Sequence, residues 1–225
     1  MTGAPRYALY FTPKPGSDLA RFGNAVLGTD NHTGAEVPRP EGMADLADVT
    51  DSPRRYGFHA TLKAPMRLAP GLAEADLLAA AETLAADHPP VPVGLLRVAT
   101  LGAFTALVPD AAPPELGLFA AECVAAFEPF RAFLTEAEVA RRKPERLSPR
   151  GRALLAAWGY PHVFEEFRFH MTLTDALPEE ARAPWRERLA AAYGAGAPLV
   201  LDALSVLRQD GAAPFRVLRR IPFGG

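Results

Sequence analysis

A short phrase is written twice in this chain. Phe58-His59-Ala60-Thr61-Leu62 returns as Phe169-His170-Met171-Thr172-Leu173, 111 residues further along a chain of 225. The composition would give His-x-Thr by chance about 0.3 times, so one copy alone would carry little weight. Two copies, each preceded by Phe and followed by Leu and half the chain apart, predict two similar lobes. Each lobe then offers one His and one Thr to a shared place. Two histidines facing one another are the minimum set for a general base and a general acid acting on opposite sides of one bond.

Both copies read as β-strands, in which residues i and i+2 share a face. In the first, Tyr56, Phe58, Ala60 and Leu62 make an apolar face and Gly57, His59, Thr61 and Lys63 the opposite one. In the second, Phe167, Phe169, Met171 and Leu173 are apolar and are opposed by Arg168, His170, Thr172 and Thr174. Each strand is expected to bury one side and to present His, Thr and a cation on the other. A one-residue slip would bury the imidazoles and expose the Phe rings, so the orientation should be firmly set.

The rest of the pattern predicts a first strand over 6–12 and helices over 17–27, 72–88, 113–130 and 178–193. Shorter helices are predicted over 135–142, where Thr135 and Glu138 have capping-box spacing, and over 148–158, where Ser148 precedes Pro149. The motif strands fall at 57–64 and 168–175. Strand pairs are expected over 91–101 and 103–109, turning at Gly102, and over 199–208 and 215–221. Residues 28–53, rich in Gly, Pro and Asp, read as an irregular excursion. The same order follows each motif: helix, strand, turn, strand. The expected fold is α+β, a duplicated bilobal unit with pseudo-two-fold symmetry. It forms one compact domain over 1–225, with halves at about 1–112 and 113–225. Two antiparallel sheets, each backed by helices, would enclose a central cleft between the His-bearing faces.

Composition bounds the partners. Apolar content of 49% and charged content of 22% are those of a globular chain with a real core. A net charge of −2 argues against coating long nucleic acid, which calls for a basic surface. A single cysteine, Cys123, excludes an intramolecular disulfide and a cysteine-built zinc site, and is expected to be buried and inert. No apolar run reaches membrane-spanning length and no signal-peptide layout opens the chain, so a cytoplasmic protein without a membrane partner is expected, as a monomer.

The double motif resembles the 2H phosphoesterase superfamily, named for two His-x-Thr/Ser phrases and including the LigT-like RNA 2′,3′-cyclic phosphodiesterases. RRYGFHATLKAP at 54–65 and EFRFHMTLT at 166–174 are similar to one branch in particular, which is found with phosphonate-utilisation operons. RYALYF near the start, the segment from FEPFRAFLTEAEVARRKPERLSP through RGRALLAAWGYPHVFEEFRFH, and PFRV near the end resemble that branch too. The resemblance implies a bilobal fold with a pseudosymmetric cleft, chemistry with no metal and no cofactor, and a phosphodiester substrate, often cyclic. Carried across, the two histidines are His59 and His170 and the two hydroxyls Thr61 and Thr172.

These residue types suit that chemistry. Imidazole, with an ordinary pKa near 6.5, takes a proton from water or gives one to a departing oxygen. Thr61 and Thr172 donate to the non-bridging oxygens, where charge gathers in the transition state. Candidate substrate-binding residues are Lys63 and Arg168 on the motif faces, Tyr10 on the polar side of the first strand with Arg6, Arg55 at the strand entrance, and Arg141 and Arg142. The plain alternatives are solvated cations on strand faces and a solvated helix end for the Arg141-Arg142-Lys143 run. For the two histidines the plain alternative is hydrogen-bonded strand residues. A zinc site is poorly served, since each motif supplies one good ligand. His32, His88 and His162 are expected at the surface. The expected substrate is a small cyclic phosphate, such as a cyclic ribose phosphate from phosphonate breakdown. An RNA-end 2′,3′-cyclic phosphodiesterase and a non-catalytic nucleotide-binding module are the alternatives.

Overall fold

The computed structural model describes residues 4–224. Within them, nine strands and seven helices follow in the order β1 (Arg6–Phe11), α1 (Asp18–Leu27), α2 (Asp51–Arg54), β2 (Ala60–Met66), α3 (Glu74–Ala86), β3 (Val91–Gly94), β4 (Leu96–Leu101), β5 (Phe104–Pro109), α4 (Pro114–Ala126), α5 (Glu136–Arg141), α6 (Pro149–Trp158), β6 (Met171–Thr172), α7 (Glu179–Tyr193), β7 (Leu199–Leu201), β8 (Ala203–Gln209) and β9 (Arg216–Pro222). Among the described residues no helix is long and apolar enough to cross a membrane.

The helix ends are set by local chemistry. Ser17 caps α1 by accepting from the Ala20 N–H, and Gly28 closes it in the left-handed region. Thr135 and Glu138 form the expected capping box on α5. Ser148 accepts from the Gly151 N–H to start α6, which ends at Gly159. The longer helices bury one stripe each, such as Leu77, Ala81 and Ala85 on α3 and Leu116, Phe119, Ala120 and Cys123 on α4.

The sheets depart from expectation. All seven strands of the larger sheet are antiparallel, in the order β4-β5-β6-β2-β1-β8-β9. The motif strands β2 and β6 are therefore neighbours inside one sheet, rather than occupants of two sheets that face each other. The second sheet holds only β3 and β7, and carries neither motif. Its origin is a pair of breaks the hydrophobic pattern did not show. The run over 91–101 divides after Gly94, at φ 85°, and the run over 199–208 divides after Leu201. The two short leading pieces then pair with each other, Val91 opposite Leu201. Pairing β2 with β6 leaves neither motif strand with an open edge.

Register across the larger sheet sorts its two faces. Phe11, Ala60, Met171 and Leu107 lie in one row across β1, β2, β6 and β5, and all four are buried. Helices cover this face: α3 packs on β8 and β9, α4 on β2, and α7 on β4 and β5. The neighbouring row, Ser205 and Tyr10 leading to Thr61, faces the other way. The motif phenylalanines anchor the core side. Phe58 and Phe169 are buried, and Phe58 lies so close to α1 that a Cβ on Gly23 would fall 2.0 Å from its ring. Burying one such ring contributes about 1.5–3 kcal/mol.

Several boundaries move. The first motif strand starts at Ala60, and the second spans only Met171–Thr172 instead of 168–175. The helix expected to reach 130 stops at Ala126, followed by a 3-10 turn over Glu128–Phe130. Residues 28–53 include a 3-10 helix over Ala44–Val49 and are tied down by Arg39, which donates to the Val26 carbonyl at 2.5 Å. His32 and His88 are half-buried rather than at the surface, His88 packing on Phe119 and Phe223. Cys123 is fully buried, as expected.

Candidate active site

The seam between β2 and β6 builds the site. Ala60 is paired with Met171 in an antiparallel ladder. One residue further in each direction, the same register sets His59 opposite Thr172 and Thr61 opposite His170. Alternation turns all four away from the buried Ala60 and Met171. Directly opposed side chains in such a pair start about 4.5–5.5 Å apart at Cβ. The repeated phrase thus becomes a two-by-two patch, and His59, Thr61, His170 and Thr172 all line one cavity of about 860 Å³.

Both imidazoles are held alike. His59 Nδ1 lies 2.8 Å from the Gly57 carbonyl, and His170 Nδ1 lies 2.7 Å from the Arg168 carbonyl. A carbonyl only accepts, so each Nδ1 carries a proton and each Nε2 is left for proton exchange. Gly57 can offer that carbonyl because its backbone is at φ +72°, where a Cβ would also fall 2.4 Å from Asn31. The Thr61 hydroxyl lies 3.3 Å from His59 Nε2.

The surroundings of the two rings differ. Tyr10 stacks on His59 with centroids 3.8 Å apart and planes at 18°, and Tyr56 and Phe215 extend the aromatic wall. Burial lowers the His59 pKa to about 4, against the opposing effect of the Gly57 carbonyl, and a charge on His170 lowers it further. Among the described aromatic rings His170 meets the tilted ring of Phe104, at 5.6 Å. Its pKa is also lowered, first by burial, with the Arg168 carbonyl opposing and His162 adding. His170 also borders a second cavity of about 510 Å³, which shares Thr61, Phe104 and Tyr160 with the first.

The candidate cations divide. Arg141 and Arg142 line the main cavity, as does Tyr10. Lys63 does not. Leu9 pairs with Lys63 while Tyr10 pairs with Thr61, so Leu62 is an extra residue in β2 and both Leu62 and Lys63 turn inward. The buried Lys63 ammonium donates to Glu128 at 2.6 Å and to the Val124 carbonyl at 2.9 Å. Burial raises the Glu128 pKa, but bonds from Arg131 and Lys63 outweigh it, so the carboxylate stays ionised. Arg168 precedes the two-residue strand, is exposed, and borders the second cavity rather than the first. Arg55 caps α2 at its C-terminal end and pairs with Asp51 at 2.9 Å, outside the cavity, because the turn at Gly57 breaks the strand parity that linked it to His59.

Further residues complete the lining. Tyr56, assigned to the apolar face, reaches the cavity because Gly57 interrupts the strand. Arg6, Arg67, Phe104, Glu138, Tyr160 and Asp175 complete the charged and aromatic parts of the wall. Of these, Arg6 carried a signal in the sequence through its strand parity with Tyr10, and Glu138 one only as the capping-box partner of Thr135. Arg67 and Glu138 neutralise each other through two hydrogen bonds of 3.1 and 2.9 Å, and the Arg67 contact holds the Glu138 pKa down to about 2. Among the described residues no three His, Cys, Asp or Glu side chains gather as a metal site requires.

Comparison with known proteins places the chain. Two curated relatives share the name "Ribose 1,5-bisphosphate phosphokinase PhnN". The one from Janthinobacterium sp. (strain Marseille) is 42% identical over 234 residues, covering 98% of this chain and 51% of its own length. The one from Laribacter hongkongensis (strain HLHK9) is 35% identical over 227 residues, covering 96% and 51%. The chain therefore spans about half the length of the curated relatives it matches. A solved structure, that of TT0787 of Thermus thermophilus, aligns over 98% of both chains at 16% identity and a TM-score of 0.46. A family model matches residues 61–216, a span that takes in Thr61, His170 and Thr172 and more than half of the chain, which thus belongs to the family described as "Protein of unknown function (DUF1045)".

Proposed function

We propose that this chain is a cyclic phosphodiesterase that opens a small cyclic phosphate by general acid–base catalysis with no metal ion. The carrying observation is the β2–β6 register, which supports a site with one His and one Thr from each motif in a single cavity. His59 is the base: stacked under Tyr10 and held neutral, it takes a proton from water at Nε2. The water oxygen bonds to phosphorus and the bond from phosphorus to one ring oxygen breaks. His170, protonated at Nε2, gives its proton to that oxygen. The product is a phosphomonoester and a free hydroxyl; His59 then releases its extra proton to solvent and His170 regains one from it. Thr61 and Thr172 donate to the non-bridging oxygens. Each acid or base accounts for about 10²–10⁴-fold.

The repeated order after the motif strands, α3-β3-β4-β5 after β2 and α7-β7-β8-β9 after β6, supports reading the fold as a duplicated unit with one motif per half. The relatives' name supports a ribose substrate. A cyclic diester joining O1 and O2 of ribose 5-phosphate, opened at O2, yields ribose 1,5-bisphosphate, the compound that name specifies. The half of each relative that this chain matches would then supply the substrate of a phosphokinase, in keeping with a role in phosphonate breakdown.

His59→Ala and His170→Ala are each expected to abolish turnover while leaving the melting transition intact, and wild-type activity should persist in excess chelator. Full activity in either variant sinks the mechanism. A second reading, an enzyme for RNA 2′,3′-cyclic ends, is favoured by the aromatic walls of the adjoining cavity, where Phe104, Tyr160 and Phe164 suit a base. Cyclic ribose phosphates, cyclic mononucleotides and RNA oligomers compared side by side separate the two. Preference for long RNA with steep salt dependence selects the second. Tight ligand binding with no turnover anywhere on the panel would instead mark a binding module.

A further inference from the structure

We infer that the cavity takes a cyclic phosphodiester bearing a second, terminal phosphate, and that Arg6, Arg141 and Arg142 hold that second group. The inference rests on the cyclic phosphodiesterase reading for the role of the first phosphate. Its own support is a charge imbalance in the wall.

Four arginines line the cavity against two carboxylates. Both carboxylates are engaged. Glu138 is bound by Arg67, and Asp175 accepts the Asp51 and Ser52 backbone N–H groups at 2.9 Å each. The other three arginines meet only neutral groups among the described residues. Arg6 engages Gln209 along one edge of its fork and lies 5.5 Å from the centre of the Phe215 ring. Arg142 lies 5.1 Å over the Tyr160 ring. Arg141 reaches the Ala137 carbonyl at 3.2 Å. In a chain of net charge −2, three unneutralised guanidinium groups gathered in one cavity demand an anion.

The reacting diester is too small an anion to satisfy them. It carries one negative charge, already met by protonated His170 and the two threonine hydroxyls. A terminal monoester adds about −1.5 to −2 at neutral pH and three strong acceptor oxygens, and the guanidinium fork matches such a group in pairs.

The arginine pair is also braced. Helix α5 is pinned at its start by the capping box and along its side by the Arg67–Glu138 pair. It ends at Arg141. Arg142 caps it, and Lys143 then turns through the left-handed region at φ 49°, a conformation rare for residues other than glycine. Tyr160 supports Arg142 from below. A residue held this way needs little further ordering to bind.

The test pairs a cyclic ribose phosphodiester with and without a 5-phosphate in steady-state kinetics, and ribose 5-phosphate with ribose in calorimetry. Wild type is expected to favour the phosphorylated substrate by about 10- to 100-fold in kcat/KM, the range for a charge-assisted hydrogen-bonded contact. Arg141→Gln and Arg142→Gln should each cut that preference about tenfold. Arg142→Lys should fall between, keeping the charge but not the fork. Ribose 5-phosphate should bind wild type, bind Arg142→Gln about tenfold more weakly, and outcompete ribose. Thermal melts of the variants check folding. Equal kcat/KM for the two substrates overturns the second-phosphate site and leaves the phosphodiesterase reading standing. Turnover of neither, with ribose 5-phosphate bound through Arg142, overturns the phosphodiesterase reading and upholds the phosphate site. No binding and no turnover overturn both.

Discussion

The unequal environments of His59 and His170 predict an acid-shifted pH profile. The His59 pKa, lowered to about 4, corresponds to a bias of about 3 kcal/mol toward the neutral ring relative to an imidazole in water. At pH 6 roughly 99% of His59 is then ready as a base, whereas an unperturbed imidazole would be mostly protonated. His170 must be protonated to act as the acid, and its pKa lies below the ordinary value. Activity therefore requires a pH above the His59 value and below that of His170. The expected kcat/KM profile, which reports the free enzyme, is a bell with its maximum between about 4 and 6.5. Above its alkaline midpoint it falls about tenfold per pH unit, so about 100-fold is lost between pH 6.5 and 8.5. The assay needs a cyclic diester with no monoester group, because a terminal phosphate titrates near pH 6 and would add its own inflection. Glu138, held down to about 2, stays ionised throughout. A bound diester anion raises both imidazole values, so the kcat bell should sit to the alkaline side of the kcat/KM bell. Stability adds to the loss on the acid side. Because the folded-state values are depressed, the stabilisation is present above pH 6.5 and is lost as pH falls through about 4, by up to about 3 kcal/mol from His59. Melts across the same range separate unfolding from titration. A kcat/KM that is flat or rising from pH 6.5 to 8.5 would refute the proton assignment.

Two substitutions probe the frame around the site. Lys63→Met removes a buried cation but leaves Glu128 paired with Arg131, so it should cost about 1–3 kcal/mol, lower Tm by about 2–10 °C, and leave kcat/KM within about twofold. Lost activity at unchanged Tm would return Lys63 to the substrate. Gly57→Ala places a Cβ against Asn31 at a positive φ and disturbs the carbonyl that holds His59. It should lower Tm by several degrees and kcat/KM by at least about tenfold; Gly42→Ala, at φ +71° with nothing within 4 Å of its Cβ, shares the backbone strain alone and should lower Tm less, with kcat/KM unchanged.

The four central side chains were legible because strand alternation is a strict period. His59, Thr61, His170 and Thr172 share a face for the same reason that Ala60 and Met171 are buried. Parity failed where the backbone stopped alternating. Lys63 lies beyond the extra residue at Leu62, Arg55 and Tyr56 lie before the positive-φ turn at Gly57, and Arg168 lies outside a strand of two residues. A bulge of one residue leaves no mark in the sequence of Ala60 to Met66. The partition of strands between sheets is illegible for a related reason. Pairing partners 111 residues apart are chosen by edge satisfaction across the whole molecule, and local pattern does not encode them. The capping box of α5 was readable because all its parts lie within four residues. Tyr160 and Phe104 reach the cavity through tertiary packing alone and carried no signal.

The seam between β2 and β6 makes the spacing of the two imidazoles a matter of hydrogen-bond lattice rather than of lobe movement. Adjacent strands are held about 4.8 Å apart by their ladder, and advancing either strand moves its side chains in steps of about 3.4 Å with a reversal of face at each step. The distance between the two imidazoles is therefore quantised. No hinge can tune it, and no single half of the chain possesses it. Change in chain length is free to accumulate in the excursion over 28–53 or around the turn at Lys143, where it alters what the cavity admits. Between His59 and Thr61, or between His170 and Thr172, the insertion of one residue would turn the His and the Thr of that motif to opposite faces of the sheet.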